Sequence, residues 1–485
     1  MRVLWKRNDA VYSQCDYIYW LLLLGIVFMH PTVFAAPSSK IVVLKPDQDV
    51  AAIVRNAPPG TTFQFSPGVY RMQSIVPKDN DIFRGQGTVD VNGSKLIQMQ
   101  PDGGRWSAAE ARAKWGAGHC KKEYPRCWIL NDLFIDDQIQ TPVENLSDLG
   151  PGKWFYDDGS GKLFINTNPT GHKVEFGVAS AAFSGTATDV EISHLIVEKY
   201  ASPPQQGAIG GAVGKDQQGW TILNTEARWN HGTGIQVGPK GHVESCNIHH
   251  NGQKGLGGVG AGVVIVNNEI AYNDYAGYDT GWEAGGSKFA KTDNLVVRGN
   301  YVHDNTGPGL WTDIDNIHTL YEKNTILNNK GTGIFHEISY DAVIRNNLIK
   351  GNLVAIRIAN SSKVEVYGNV IEVPADNGDG IKLVNFKRGM GAYGPRIAHD
   401  NHIHNNVITY LGPKGTSGLT GDMTTALNNS FEHNEYHFIG GGDNHWAWDG
   451  TRNLSYVRQM GWESQATIST AAPVVKDPTK TGSVK

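Results

Sequence analysis

Asparagines recur through the middle of this chain at an interval few folds can use. Asn224, Asn247, Asn268, Asn300, Asn324, Asn347 and Asn369 lead short pairs such as Thr325-Ile326 or Leu348-Ile349, at intervals of 23, 21, 32, 24, 23 and 22 residues. A second series, Asn230, Asn251, Asn273, Asn305, Asn329 and Asn352, follows a few residues behind. Self-similarity at this period marks a solenoid, each copy being one supersecondary unit stacked on the next. Apolar residues come in β-branched bursts (Val263-Val264-Ile265-Val266, Leu295-Val296-Val297, Ala342-Val343-Ile344) broken by Gly, Asn and Asp, which reads as strands and turns. No window carries the i, i+3, i+4, i+7 stripe of a packed helix pair, and a regular leucine framework is missing. The fold expected is all-β: a right-handed parallel β-helix with three short strands per coil. The asparagines are read as structural, because Asn tolerates the left-handed turn conformation and stacked amides bond from coil to coil.

The 58 glycines and 19% charged residues fit a turn-rich all-β chain, and a solenoid absorbs 485 residues as one body. Arg2, Lys6 and Arg7, an apolar run of 13 residues from Tyr17 to Met29, and Val33-Phe34-Ala35 read as a signal peptide over 1–35. That run is too short to span a bilayer, with a retained anchor as the alternative. The leader carries +1 (three basic, two acidic), so the net of −4 becomes −5 without it. No basic cluster points to nucleic acid or an anionic membrane. A secreted or periplasmic, monomeric protein is expected, and a Cys120–Cys127 disulfide on one short loop agrees with export. Cys246 is read as a small buried residue.

Residues 36–100 are expected to form an N-terminal cap and the first coils, with a helix over Asp47–Ala57. Residues 101–180 lose the period and gain Trp106, Trp115, Trp128 and Trp154, and Lys153–Ile165 reads as a hairpin. This stretch is taken as a small antiparallel β insertion. Coils fill 181–440, with excursions at 281–288 and 374–400. Residues 441–485, with a helix over Leu454–Trp462, form the C-terminal cap.

Aligning the coils on Asn273, Asn305 and Asn329 brings Tyr278–Gly281, Leu310–Asp313 and Ile334–Glu337 side by side. Side chains alternate across a strand, so inward Leu310 and Ile334 turn Trp311, Asp313, Phe335 and Glu337 outward. Asp279, Trp311, Phe335 and Arg357 then share one outer row, beside Asp313 and Glu337. Thr312 and His336 fall inward, which is awkward for polar side chains. Strands lie roughly 4.8 Å apart, so the two carboxyls are expected near the ~5–5.5 Å of a retaining glycosidase. Like charges that close raise one pKa, giving an acid beside an ionised nucleophile. Trp311 and Phe335 are expected to stack on sugar rings, and Arg357 to keep one carboxylate ionised.

Gly307-Pro308-Gly309-Leu310-Trp311-Thr312-Asp313, followed one coil later by Gly333-Ile334-Phe335-His336-Glu337, resembles the signature of β-helical retaining β-xylosidases and related glycoside hydrolases. The resemblance implies that Asp313 is the nucleophile and Glu337 the acid/base. It also implies that Trp282–Lys288, with Glu283 and Lys288, is a loop near the sugar subsite. Thr312 and Ile314 stand where that family has bulkier residues, so sugar specificity is not carried over. A poly- or oligosaccharide partner is expected, with no cofactor and no metal. Two rivals stay open. One is a polysaccharide lyase or uronate epimerase, with Lys288, Arg357 and His336 as candidates and calcium as a possible cofactor. The other is a non-catalytic glycan-binding β-helix.

Overall fold

The computed structural model describes residues 41–113, 119–214, 216–474 and 477–480. The signal-peptide reading and Trp115 fall outside the described residues. Three sheets of 13, 13 and 12 strands run the length of the coils, parallel throughout except for the last strand of the third, Thr451–Arg452, which pairs antiparallel with Trp446–Trp448. Each coil gives one strand to each sheet, as in Leu310–Asp313, Thr319–Glu322 and Thr325–Leu327, before Thr332–Glu337 returns to the first of these faces. Consecutive coils pair in parallel and in register, which makes the chain a right-handed parallel β-helix.

Register is held from inside by two devices. The first is aliphatic columns: Ile248, Ile270, Val302, Ile326, Ile349 and Ile371 stack with no exposed surface. Each such side chain contributes roughly 1.5–3 kcal/mol on burial. The second is amide ladders. The Asn324 amide donates to Val297 O and Asn347 Oδ1, both at 3.0 Å, while its oxygen accepts from the backbone and side chain of Asn300. The ladder runs from Asn268 through Asn300, Asn324, Asn347, Asn369, Asn406 and Asn434 and ends on the Glu463 carboxylate at 2.9 Å. A parallel ladder links Asn230, Asn251, Asn273, Asn305, Asn329 and Asn352. A Cβ on Gly255 would stand 2.7 Å from Asn273 Nδ2, so the glycine four residues after Asn251 makes room for the amide of the next coil.

Asn224 and Asn247 are not in the first ladder. Both are exposed, and the ladder positions in their coils belong to Thr225 and Cys246, one residue away. The Cys246 backbone N–H donates to Asn268 Oδ1 at 2.9 Å, and burial pushes its thiol up to about 12.

The stretch between the early coils is an eight-stranded sheet from Ser94–Leu96 to Val174–Gly177. It is mixed rather than wholly antiparallel. Lys153–Asp157 and Lys162–Ile165 form a hairpin, but Gln138–Val143 pairs in parallel with Lys153–Asp157, because the link through Leu146–Asp148 carries the chain back to start in the same direction. Trp154 is fully buried in its core, with Trp106 and Trp128 packed against it. At the ends, the helix Val50–Asn56 covers the first coil, its Asp49 cap accepting from Ala52 N at 2.9 Å. The C-terminal helix is shorter than expected, Leu454–Gln459, because Gly461 takes a φ of +87° and turns Trp462 back onto Phe431.

Asn324→Ala removes an amide that four buried groups depend on, so a loss of about 2 kcal/mol or more is expected. Exposed Asn247→Ala should stay within about 0.5 kcal/mol. Urea denaturation midpoints of the two variants check the contrast.

Candidate active site

Leu310–Asp313 and Thr332–Glu337 pair in parallel, with Trp311 opposite Phe335 and Asp313 opposite Glu337. Leu310 and Ile334 point into the core and the acids point out. Inward Thr312 and His336 bond to each other: Thr312 Oγ1 lies 2.7 Å from His336 Nδ1 and receives the Tyr321 hydroxyl at 3.2 Å, while His336 Nε2 is buried without a partner. Burial drives the His336 pKa down to about 3, so the ring is neutral and sealed from any cleft.

The coil before differs from expectation. Tyr278–Gly281 is not a strand of the sheet; the strand is Gly285–Asp293, which sets Phe289 opposite Thr312 and Ala290 opposite Asp313. The 32-residue interval inserts a loop between Asn273 and this strand, so alignment on the turn asparagine fails there. Asp279 therefore leaves the outer row. It is exposed on that loop, where its side chain accepts from Gly281 N at 2.8 Å. The place beside Trp311 belongs to Lys288, whose Nζ lies 4.0 Å from the ring centroid, 2.9 Å from Asp313 Oδ2 and 2.8 Å from the Trp282 carbonyl.

The outer row is thus Lys288, Trp311, Phe335, Arg357 and Lys382. Trp311 and Phe335 stack on each other at 5.2 Å, and Arg357 lies 5.0 Å over the far face of Phe335. The two rings are 2% and 8% exposed. Their faces are taken by each other and by two cations, so they form a wall rather than a platform for sugar rings. Arg357 faces Phe335, and the ion pair to Glu337 comes instead from Arg388, 2.8 Å from Oε1. Arg388 rides on the excursion after Asn385, which folds back through Tyr340 OH to Gly394 O at 2.9 Å and Arg396 to Asp315 at 2.9 Å. Sequence reasoning missed Arg388, since nothing in its spacing ties it to the repeat.

Electrostatics separate the two acids. Each side chain is only 12% exposed. Burial raises the Glu337 pKa, the Asp313 charge raises it further, and Arg388, Arg357 and Lys288 oppose. Asp313 has a direct ammonium partner in Lys288. Glu283 is bonded to Lys254 and Gln205; burial disfavours its charge, yet Lys254 holds its carboxyl below the usual range. Glu283 and Lys288 line a cleft of about 450 Å³ with Gln205, Gln236 and Ile314. Cys120 and Cys127 are bonded, Cα to Cα 5.6 Å, and the neighbouring His119 stacks on Trp282 at 4.0 Å. Among the described residues no cluster of His, Cys, Asp and Glu has the arrangement to hold a metal ion.

The fold and this outer pair define a right-handed β-helix protein with two carboxyls side by side on the outer face of one sheet. A family model described as "Right handed beta helix region" matches residues 210–371. No curated protein matches the chain. The structure of XylC in complex with xylose is similar in fold, with a TM-score of 0.64 at 15% identity over 87% of this chain and 83% of that one. The A-modules of the Azotobacter vinelandii mannuronan C-5 epimerases AlgE6 and AlgE4 each give a TM-score of 0.50, at 14% and 13% identity, over 87% and 88% of this chain and 94% and 92% of theirs.

The folded chain holds the Glu337 proton more tightly than the unfolded chain, so this group subtracts stability as pH rises above the ordinary value of about 4.3. Carboxyl-carbon NMR titration should show Glu337 above the usual glutamate range, lower in Asp313→Asn, and higher still in Arg388→Gln. Coincident titration curves in all three proteins would remove the coupling described here.

Proposed function

We propose that this chain is a carbohydrate-active enzyme, specifically a retaining glycoside hydrolase in which Asp313 is the nucleophile and Glu337 the acid/base. One observation carries the reading: two carboxyls in register on adjacent strands, one ion-paired to an ammonium and the other pushed toward its protonated form. Strand spacing of about 4.8 Å is close to the short carboxyl separation of retaining enzymes and below the wider gap of inverting ones. Lys288, 2.9 Å from Asp313 Oδ2, positions this carboxylate for attack at the anomeric carbon. Glu337 protonates the departing oxygen, then takes the proton of the water that releases the glycosyl-enzyme. No cofactor is needed. The fold likeness to a xylose-bound protein and to mannuronan C-5 epimerase modules supports a sugar substrate, and the bonded Cys120–Cys127 pair supports action outside the cytoplasm.

The rivals fare less well. An epimerase or lyase needs a base free to reach the sugar; His336 is sealed in the core and Lys288 is engaged by Asp313. A purely binding role for Trp311 and Phe335 conflicts with their covered faces.

A panel of aryl glycosides and polysaccharides tests the proposal. Glu337→Gln should lower kcat by about 10²–10⁴-fold on substrates that need leaving-group protonation, and Asp313→Asn at least as much, both remaining folded. The first-formed sugar should keep its anomeric configuration by NMR. Undiminished turnover in either variant, or an ultraviolet-absorbing unsaturated uronate as product, would overturn the assignment.

A further inference from the structure

The cations packed around the acid pair have carboxylate partners, with one exception. Lys254 is bonded to Glu283, Lys288 to Asp313, Arg388 to Glu337 and Arg396 to Asp315, and Lys382 stands 3.7 Å from Asp379. Arg357 has no carboxylate within 4.0 Å among the described residues, and its Nε is buried without an acceptor. These six cations and five acids leave one positive charge around the acid pair, on a chain whose formal net charge is −4. Exposed Lys291 at the cleft edge adds a second.

A buried donor without an acceptor costs free energy, and structures tolerate few of them. The guanidinium is a rigid planar fork, and its best partner is an oxyanion that accepts two parallel N–H bonds. Phe335 packs under this fork, its ring centroid 5.0 Å from Arg357 Cζ, which restrains the guanidinium before any ligand arrives. Arg357 stands one strand beyond Phe335 and two residues before Ala359, which is itself the register partner of Glu337. It therefore sits diagonally across from the acid, next to where a sugar joined through the scissile oxygen would lie.

We infer that the sugar bound on the Arg357 side of Glu337 carries a carboxylate, so that the substrate is an acidic, uronate-containing glycan. This rests on the glycan reading of the site and adds the class of sugar. Arg357 grips the carboxylate in bidentate fashion, and Arg388 lies at the rim. Lys382, bonded to Thr416 Oγ1 at 2.7 Å and 3.7 Å from Asp379, stands beside Arg357 on the next coil.

The test measures binding, so that it stands apart from turnover. Full-length Asp313→Asn protein is titrated by calorimetry with oligogalacturonate, oligoalginate and glucuronate-bearing xylan oligomers, each beside its carboxyl-reduced counterpart. At least one acidic oligomer should bind about tenfold or more tightly than its reduced form. Adding Arg357→Gln should abolish that preference while leaving affinity for the reduced form unchanged, and Arg357→Lys should restore part of it. Equal affinity for acidic and reduced members of every pair would overturn the inference, as would a preference that survives Arg357→Gln. Absence of binding to every saccharide would sink the glycan reading itself. An unchanged thermal midpoint for Arg357→Gln shows that the loss is not one of folding.

Discussion

Everything in this molecule follows from the in-register parallel pairing of each coil with the next. Inward columns and amide ladders both demand it: shift a strand by one residue and its aliphatics turn to solvent while each Asn loses its partner. The ladders cannot slip by themselves either, since each amide is donor to one coil and acceptor for another. Outer side chains inherit that discipline without contributing to it. A residue placed on the outer row meets its neighbour at strand spacing, roughly 4.8 Å, whatever its chemistry.

That spacing is short enough to make charge placement consequential. Two carboxyls forced to that distance interact strongly when they are nearly buried, and the surrounding residues decide which one keeps its proton. Lys288 reaches Asp313 from the preceding coil. The direct ion pair of Glu337 is with Arg388, a half-exposed residue on an excursion, whose influence is weakened by water. The result is two acids in register on paired strands with different partners, of which Glu337 has its pKa raised by burial and by the Asp313 charge.

Legibility in the sequence tracked periodicity. The solenoid, its inward aliphatics and the outward pairing of Asp313 with Glu337 could be read because each depends on residues at fixed repeat offsets. Asn224 and Asn247 misled by one position, since Thr225 and Cys246 fill the ladder sites there and an exposed Asn beside them looks the same in a string. Asp279 misled for a different reason: a loop of unknown length separates it from Asn273, and alignment cannot see where a strand resumes. Trp311 and Phe335 were correctly turned outward, yet their outer faces are covered by Lys288 and Arg357, a consequence of the stacking that the same register predicts. Arg388 was beyond reach, because its approach to Glu337 depends on how a long non-repeating segment folds back.

Chemistry in this chain gathers where the period breaks. The loop before Gly285 brings Trp282 and Glu283 to one side of the acid pair, and the segment after Asn385 brings Arg388 to the other. The first loop does not stand alone: Lys121 bonds to Gly277 O and His119 O accepts from Asp279 N, so the segment closed by Cys120–Cys127 is laid along it as an added edge. His119 then stacks on Trp282, and the Trp282 carbonyl fixes the ammonium that holds Asp313. A rigid stack thus supplies the spacing of the two carboxyls, while its two irregular segments supply their unequal surroundings. Neither would suffice: regular coils alone give like acids in like environments, and loops alone cannot hold two side chains at a strand's separation.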